Sequence, residues 1–190
     1  FGTVTELAEV YSLDLDGVTK VAHTSEGDFT AKAVILATGA NPRQLGVDKE
    51  EAYVGRGINY CAACDGMFYK DKVVAVVGGG NTAAADTTIL SRIAKKVYII
   101  HRRDTLRATK IYHNQLESME NVEFIWDSTI DEIVGESKLE SLKVKNLKTG
   151  EMTEIEVDGV FVSIGRKPAT ELFEGKVELD NAGYVVADES

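Results

Sequence analysis

The apolar positions of the chain fall into runs that predict an α/β protein built around a parallel sheet. Residues 72–80, 96–101 and 160–165 are nearly continuous apolar runs, and the first of them ends in three glycines. Such runs are typical of strands buried on both faces. Residues 122–126 predict another parallel strand. A helical segment separates the first two runs, and strand, helix and strand within roughly thirty residues predict a βαβ unit.

Two helices are predicted between these strands. The first covers about residues 81–94, where Ala85, Ile89 and Ile93 recur every four residues and predict the stripe that faces the core. The second covers about residues 105–119. Together the strands and helices predict a Rossmann-like βαβ domain.

The remaining runs predict mainly antiparallel strands. Residues 3–10 and 18–22 are short alternating runs, broken by Asp-Gly and Glu-Gly turns, and predict a meander. Residues 129–157 alternate in the same way around a Lys-Thr-Gly-Glu turn. The apolar run 33–40 predicts a buried strand that ends at Gly39.

Composition narrows the class of protein. A net charge of -10, from 21 basic and 31 acidic residues, argues against nucleic acid as a general partner. No apolar run approaches the roughly 20 residues that span a bilayer, and no basic and apolar leader opens the chain. Only two cysteines predict a reducing, cytoplasmic location. Seven basic residues nevertheless lie between Arg92 and Lys110, which predicts a local site for a small anion.

The three glycines after the 72–80 strand resemble a dinucleotide-binding turn. Gly78 permits the tight turn, Gly80 lets a pyrophosphate approach the backbone, and the small Ala83 lets helix and strand pack closely. The phosphates would meet unpaired N–H groups at the start of the helix, including those near Asn81 and Thr82. The alternative is a purely structural turn.

The end of the second parallel strand predicts which dinucleotide binds. An NAD site usually places an acidic residue there, whereas this chain has His101, Arg102 and Arg103, with Arg107 one helical turn later. Guanidinium groups are always charged and bind phosphate bidentately, so the sequence favours NADPH. The alternative is a solvated basic helix start.

Both cysteines lie in the stretch CAACDG, as Cys61 and Cys64. A zinc site needs two more ligands, and the three histidines form no paired motif. A structural disulfide closing so short a loop would constrain the unfolded chain little. A redox-active dithiol is therefore favoured, with Asp65 as the proton donor and acceptor or, alternatively, an ordinary turn residue. Because nicotinamide delivers a hydride while thiols exchange through thiolate attack, a flavin is expected as mediator.

These stretches together resemble the low-molecular-weight, bacterial-type thioredoxin reductases. The similar motifs are spread over most of the chain in family order: ILATGA (35–40), CAACDG (61–66), VVGGGNTAAAD (76–86), HRRDTLRATK (101–110), SIGRKP (163–168) and GYVVAD (183–188). The departures are small: an Ala-Ala spacer in the dithiol where Ala-Thr is common, Asn81-Thr82 where Asp-Ser is common, and Asp86 where glutamate is usual.

The resemblance implies a homodimeric flavoprotein that passes electrons from NADPH through FAD to the dithiol and then to thioredoxin. It implies that Cys64 faces the flavin, Cys61 attacks the substrate disulfide and Asp65 is the acid and base. The implied NADPH ligands are Gly78, Gly80, Asn81, Thr82, Ala83, His101, Arg102, Arg103, Arg107, Ile164 and Gly165. Thr38 and Gly39 would lie at the boundary of the FAD domain.

The resemblance also implies a domain organisation. Residues 1–42 would be part of an FAD domain, 43–165 the NADPH domain that carries the dithiol, and 166–190 the start of a second FAD-domain segment. The family's own Gly-rich FAD motif and its Gly-Asp segment are expected outside this sequence. We therefore expect the chain as given not to turn over.

Rival functions remain at this point. The flavoprotein subunit of an alkyl hydroperoxide reductase shares these motifs. A flavin-dependent ferredoxin–NADP reductase of similar fold would not need the two cysteines. A non-catalytic NADP-binding module is the alternative from outside the enzymes.

Overall fold

The secondary structure follows the apolar pattern of the chain, with short strands at first, then alternating strands and helices, then strands again. This computed structural model describes residues 2–187. Within these residues two 3₁₀ turns occur, at Gly66–Tyr69 and at Glu171–Phe173. The strands and α-helices in chain order are β1 (Val10–Asp14), β2 (Lys20–Thr24), β3 (Gly27–Ala31), β4 (Ala40–Pro42), α1 (Glu50–Tyr53), β5 (Ile58–Asn59), α2 (Ala62–Asp65), β6 (Val73–Val77), α3 (Asn81–Ser91), β7 (Lys96–Ile100), α4 (Lys110–Glu117), β8 (Val122–Ile125), β9 (Ser128–Val134), β10 (Ser141–Asn146), β11 (Met152–Glu156), β12 (Gly159–Val162) and β13 (Arg166–Pro168).

The chain divides into two units. One unit is drawn from both ends of the chain, up to Asn41 and from Arg166 onward, and the other is Pro42–Gly165. The final residue of the GYVVAD stretch, Asp188, lies outside the described residues, as do the predicted outer boundaries at Phe1 and Ser190. Within residues 2–187 no helix is both long and apolar enough to cross a bilayer.

The larger unit contains the predicted parallel sheet. Five strands lie in the order β5-β12-β6-β7-β8, and every neighbouring pair is parallel. The antiparallel meander β9-β10-β11 forms a second sheet, as the alternation at 129–157 predicts. The prediction of an α/β fold with a parallel sheet and a meander is thus confirmed.

Side chains that alternate along each parallel strand fill two cores. On β6, Ala75 and Val77 pack with Ile130, Leu142 and other residues of the meander. Val74 and Val76 point to the opposite face, where they pack with residues of α2 and α3. Both faces of the sheet are covered, which explains why its strands are apolar without interruption.

The buried stripe of α3 differs from the predicted one. Ala85, Ile89 and Ile93 are only partly buried, whereas Ala83, Thr87, Leu90 and Ala94 are buried. Both stripes have helical spacing, so periodicity alone does not choose between them. The small Ala83 decides the outcome, because it must face β6 for the Gly-rich turn to close.

Helix α4 is shorter than predicted, beginning at Lys110 rather than near Thr105. The backbone N–H groups of Arg107 and Ala108 donate to the Gly79 carbonyl, and that of Thr109 donates to the Asn81 side chain. These N–H groups are engaged by the Gly-rich turn, so the helix starts only after them.

The smaller unit contains an antiparallel meander, with strand positions that differ from the prediction. The order is β1-β2-β3, and β4 pairs with β13. Residues 3–9 form no strand, and Leu7 is 99% exposed. The predicted buried strand at 33–40 is also wrong, because residues 33–39 are irregular and Ile35 is 92% exposed. No strand within residues 2–187 pairs with either segment, so apolar composition alone does not make them strands.

Candidate functional site

The Gly-rich turn joins β6 to α3 at the C-terminal edge of the parallel sheet. Gly78 has a φ of 144°, which favours glycine, and its N–H donates to the Ile100 carbonyl at 3.1 Å. A Cβ at this position would collide with the carbonyl oxygen of Ser163 and lie 3.0 Å from the Cβ of Ala83. Close packing therefore requires both a glycine at 78 and a small residue at 83.

Gly80 has a different environment. It is the N-cap of α3, has a φ of -92°, and a Cβ built there meets no atom within 4 Å among the described residues. The free space lies beside the unpaired N–H groups that begin an 11-residue helix. Thr82 is exposed in this first turn. The arrangement leaves room for a phosphate to approach the backbone.

His101 lies beneath the turn at the end of β7. A Cβ on Gly79 would overlap the imidazole ring, and the His101 side chain is 5% exposed. Within residues 2–187 its Nε2 has no hydrogen-bond partner. Burial lowers the pKa of His101, and the charges of Arg107, Arg103 and Arg102 lower it further. The ring is therefore held neutral beside the candidate phosphate site.

The three predicted phosphate ligands lie on the loop that follows His101. Arg102, Arg103 and Arg107 are exposed, and each is close enough to His101 to disfavour its protonated form. None of the three guanidinium groups has a hydrogen bond or ion pair with the part of the chain that the structure describes. Three unpaired cations on one short loop are able to bind a dianion.

Backbone hydrogen bonds hold these arginines beside the Gly-rich turn. The N–H groups of Arg107 and Ala108 donate to the Gly79 carbonyl at 2.6 and 3.0 Å. The side-chain oxygen of Asn81 accepts from the N–H of Thr109 at 2.8 Å. Asn81 thus binds the arginine-bearing loop, so its side chain has a structural role in addition to its place in the helix start.

The turn also lies at a topological switch point of the sheet. The chain passes from β6 to β7 and β8 on one side, and later returns to β12 on the other side of β6. Open parallel sheets bind ligands where the strand order reverses, beyond the carboxyl ends of the strands. Ile164 and Gly165 follow β12 at this edge. The Gly165 carbonyl accepts from the N–H of Arg43 at 3.0 Å.

The two cysteines form a disulfide on α2. Cys61 is the N-cap of this helix and is partly buried, while Cys64 is exposed. The Cys61 and Cys64 sulfurs are bonded to each other, with their Cα atoms 5.3 Å apart. The backbone N–H of Cys64 also points at the Cys61 sulfur, at 3.2 Å. An accessible disulfide of this kind is open to attack by an external thiolate.

The dithiol helix packs directly on the helix that begins at the Gly-rich turn. Ala62, between the cysteines, is 2% exposed and belongs to the same buried cluster as Ala83 and Leu90 of α3. A Cβ on Gly66 would lie 3.3 Å from a Leu90 methyl group, so the absence of a side chain lets the helices approach. The candidate dinucleotide site and the dithiol helix therefore pack on the same buried cluster.

Asp65 lies directly after the second cysteine and is partly buried. Its N–H donates to the Cys61 carbonyl at 3.0 Å. The carboxylate has no hydrogen bond to any described residue, so it is available for proton transfer near the sulfurs. The role of Asp65 as acid and base stays a prediction.

The other predicted site residues, Thr38 and Gly39, belong to the smaller unit. Both are exposed in an irregular segment, and Gly39 has a φ of 71°. The Gly39 carbonyl accepts from the N–H of Ala169 at 3.0 Å. Within this unit the described residues place no other predicted site residue beside them.

Sequence reasoning missed a polar pair at the switch point. The Ser163 hydroxyl donates to the Asp86 carboxylate at 2.5 Å, linking the end of β12 to α3. Burial raises the pKa of Asp86, and the hydrogen bond from Ser163 opposes that rise. Each residue stands in a recognised motif, but no local pattern shows that they meet across 77 positions.

Sequence reasoning also missed the buried carboxylate of Glu50, which binds the segment just before the two cysteines. Glu50 is 3% exposed, and its carboxylate accepts from the N–H groups of Leu45 and Gly46 at 2.8 and 2.9 Å and from the Tyr60 hydroxyl at 3.0 Å. Burial and this carboxylate raise the pKa of Tyr60 to about 12. Tyr60 immediately precedes Cys61, so Glu50 helps to fix where the dithiol helix begins.

Comparison with known proteins agrees with this geometry. The family described as pyridine nucleotide-disulphide oxidoreductase matches residues 2–190 of the chain. The chain belongs to this family. The pyridine nucleotide-disulphide oxidoreductase motifs that the sequence displays are therefore set in the corresponding fold.

Several relatives within the family are thioredoxin reductases. The enzyme of Streptomyces coelicolor is 46% identical over 181 residues, covering 95% of this chain and 56% of its own length. That of Peptoclostridium acidaminophilum is 43% identical over 196 residues, covering 100% of this chain and 62% of its own length. The chain thus spans little more than half of the length of these two relatives.

Solved structures give the same result. The thioredoxin reductase of Lactococcus lactis, in the FR conformation, superposes with a TM-score of 0.86 at 39% identity, over 96% of this chain and 60% of that one. The thioredoxin reductase of T. acidophilum superposes with a TM-score of 0.84 at 35% identity, with the same coverage. The pyridine nucleotide-disulphide oxidoreductase fold is thus shared over nearly the whole chain.

Proposed function

We propose that this chain supplies the dithiol and the NADPH site of a thioredoxin reductase. The observation that carries the proposal is the packing of the Cys61–Cys64 helix on the helix of the Gly-rich turn, through Ala62 and Ala83. One unit then holds both a hydride donor and the disulfide to be reduced. The names of the relatives at 43 and 46% identity support thioredoxin as the substrate.

The NADPH site is assigned to the C-terminal edge of the parallel sheet. The pyrophosphate would lie over Gly80 and the first N–H groups of α3, where a Cβ would have open space around it. The ribose 2′-phosphate would be bound by Arg102, Arg103 and Arg107, whose guanidinium groups are exposed and unpaired among the described residues. A neutral His101 adds no further positive charge.

The dithiol would act by thiol–disulfide exchange. Two electrons and a proton convert the Cys61–Cys64 disulfide into a thiol and a thiolate. The Cys61 thiolate attacks one sulfur of the thioredoxin disulfide, forms a mixed disulfide and releases the other sulfur as a thiolate. Cys64 then attacks Cys61, which reforms the internal disulfide and releases the second thioredoxin thiol. Asp65, next to Cys64, would deliver and remove the protons.

The finer features of the whole protein belong to the same proposal. FAD would link NADPH to the dithiol, since a flavin accepts a hydride and passes its two electrons to a disulfide. Thr38 and Gly39 would lie at the boundary of the FAD domain. The whole protein would be a homodimer in the cytoplasm.

Calorimetric titration with NADPH and NADH tests the phosphate site. We expect NADPH to bind more tightly, and Arg102→Ala with Arg103→Ala to weaken NADPH by about tenfold or more while leaving NADH nearly unchanged. Arg92→Ala is the matched control, because Arg92 is an exposed arginine of the same unit outside the site. Equal affinity of the unmodified chain for both nucleotides would remove the assignment.

Trapping of a mixed disulfide tests the dithiol. With Cys64→Ser, Cys61 is expected to capture thioredoxin in a mixed disulfide, because this chain then has no second thiol that could displace thioredoxin from Cys61. With Cys61→Ser, capture is expected to be much weaker. Equal capture by both variants would contradict the assigned order of attack.

A further inference from the structure

The loop that carries the three arginines contains one acidic residue, Asp104, and its carboxylate is paired with Lys148 rather than with an arginine. Lys148 comes from the turn between β10 and β11, 44 positions away. We propose that Lys148 is a positioning residue for the phosphate site, which keeps Asp104 away from the guanidinium groups. This inference rests on the proposed NADPH site.

Lys148 binds two carboxylates at once. Its Nζ lies 2.9 Å from Asp127 Oδ2 and 3.4 Å from Asp104 Oδ2. The Asp127 side chain is 17% exposed, whereas the side chains of Asp104 and Lys148 are 70% and 63% exposed. Asp127 therefore anchors the ammonium group, and Asp104 is drawn to it from the arginine loop. The pKa of Lys148 is raised chiefly by the Asp127 hydrogen bond, so the group stays charged.

Backbone hydrogen bonds fix this anchor against the arginine loop. The N–H of Asp127 donates to the Arg103 carbonyl at 3.2 Å, and the N–H of Leu147 donates to the Asp127 carbonyl at 2.6 Å. The Asn146 side chain accepts from the N–H of Lys148 at 2.9 Å and shapes the turn. The position of Lys148 is thus set by main-chain contacts that do not depend on its ammonium group.

The expected effect is on ligand binding rather than on stability. The Lys148–Asp104 pair is exposed and contributes little to folding, so any loss of stability in Lys148→Ala should come from the less exposed Asp127 pair. A released Asp104, however, is a carboxylate on the same short loop as three guanidinium groups. Arginine binds carboxylate bidentately, as it binds phosphate, so Asp104 would compete with the 2′-phosphate. In the unmodified chain all three guanidinium groups are unpaired among residues 2–187, in agreement with this role.

The test measures the dissociation constants of NADPH and NADH at low salt, where exposed charges are least screened. We expect Lys148→Ala to weaken NADPH by about fivefold, because the released Asp104 carboxylate then competes with the 2′-phosphate for the guanidinium groups. NADH is expected to change by less than about twofold. Lys148→Arg should retain the affinity, and Asp104→Asn in the Lys148→Ala background should restore it.

Lys143→Ala is the matched control. Lys143 lies on β10 and pairs with Glu132 at 2.6 Å, in an exposed ion pair of the same meander outside the arginine loop. This variant should bind NADPH as the unmodified chain does.

Three outcomes would overturn the role of Lys148. If Lys148→Ala binds NADPH unchanged, or weakens NADH equally, the pair has no part in phosphate selection. If the affinity falls and Asp104→Asn does not restore it, Lys148 binds the ligand directly instead of holding Asp104. If the unmodified chain does not prefer NADPH over NADH, the phosphate site itself is wrong. Only that last result removes the proposed function as well.

Discussion

The imidazole of His101 lies so close to the α-carbon of Gly79 that any side chain at residue 79 would overlap the ring. The middle glycine of the turn is therefore required by packing against the neighbouring strand, whereas Gly80, one residue later, has open space around it. Gly79 is thus needed for packing within the fold, whereas Gly80 leaves space for a ligand.

Substitution of these two glycines by alanine should separate the two purposes. Gly79→Ala overpacks a buried contact and is expected to lower the free energy of unfolding by about 1–3 kcal/mol. Gly80→Ala has an ordinary φ and no clash, so it should cost at most about 1 kcal/mol through the N-cap. Gly80→Ala should nevertheless weaken NADPH, because its methyl group occupies the space for the pyrophosphate. Chemical denaturation and titration of both variants measure the difference, and tight NADPH binding by Gly80→Ala would contradict it.

Two histidines should give opposite pH dependences of stability. The pKa of His101 is lowered from its ordinary 6.5, so the unfolded chain binds more protons there, and stability falls as the pH drops below about 6.5. The pKa of His23 is raised by hydrogen bonds to Asp28 and Asp14, so its contribution is present below 6.5 and is lost as the pH rises through the folded pKa.

Denaturation between pH 5 and 8 with single variants checks both signs. His101→Asn should flatten the loss of stability on the acidic side, while His23→Gln should flatten the loss on the basic side. The two variants are each other's control. If both variants change the pH dependence of the free energy of unfolding in the same direction, the assigned pKa shifts are wrong.

The Ser163–Asp86 pair should also act on stability through pH. Because the pKa of Asp86 is raised above its ordinary 3.8, the folded chain holds its proton more tightly, and this group costs stability as the pH rises through the folded pKa. The Ser163 hydroxyl offsets that cost by stabilising the carboxylate.

Ser163→Ala tests this offset. It should lower the free energy of unfolding at pH 7 by about 1.5–3 kcal/mol, the usual contribution of a hydrogen bond to a charged group. The effect should shrink toward pH 4, where the carboxyl is increasingly protonated in both states. In an Asp86→Asn background the pH dependence of the Ser163→Ala effect should vanish. If Ser163→Ala alone, with Asp86 unchanged, lowers the free energy of unfolding equally at pH 7 and pH 4, the carboxylate is not the cause.

The sequence was informative wherever a physical constraint is local. An uninterrupted apolar run needs cover on both faces, and residues 72–80 and 96–101 predict β6 and β7 for this reason. Gly78 was identifiable because a φ of 144° excludes most other residues. The dithiol spacing places both sulfurs on one helical turn, where the structure shows a disulfide.

The failures share a different cause. Residues 33–39 are as apolar as a buried strand, but within residues 2–187 no strand pairs with them. Apolar composition measures what a segment would gain from burial, and it does not show that a partner is present. The stripe of α3 was misassigned because two stripes fit the helical period, and only contact with β6 selects the one that contains Ala83.

The sequence by itself determined the kind of protein this is, since a Gly-rich turn, three arginines and a dithiol are each confined to a few consecutive residues with narrow chemical requirements. Tertiary structure alone decided how these pieces act together. It put His101 under Gly79, joined Asp86 to Ser163 and turned Asp104 to Lys148. The first two contacts depend on the parallel order of the strands, and the third depends on the turn of the antiparallel meander; each brings together side chains that no local pattern along the chain relates.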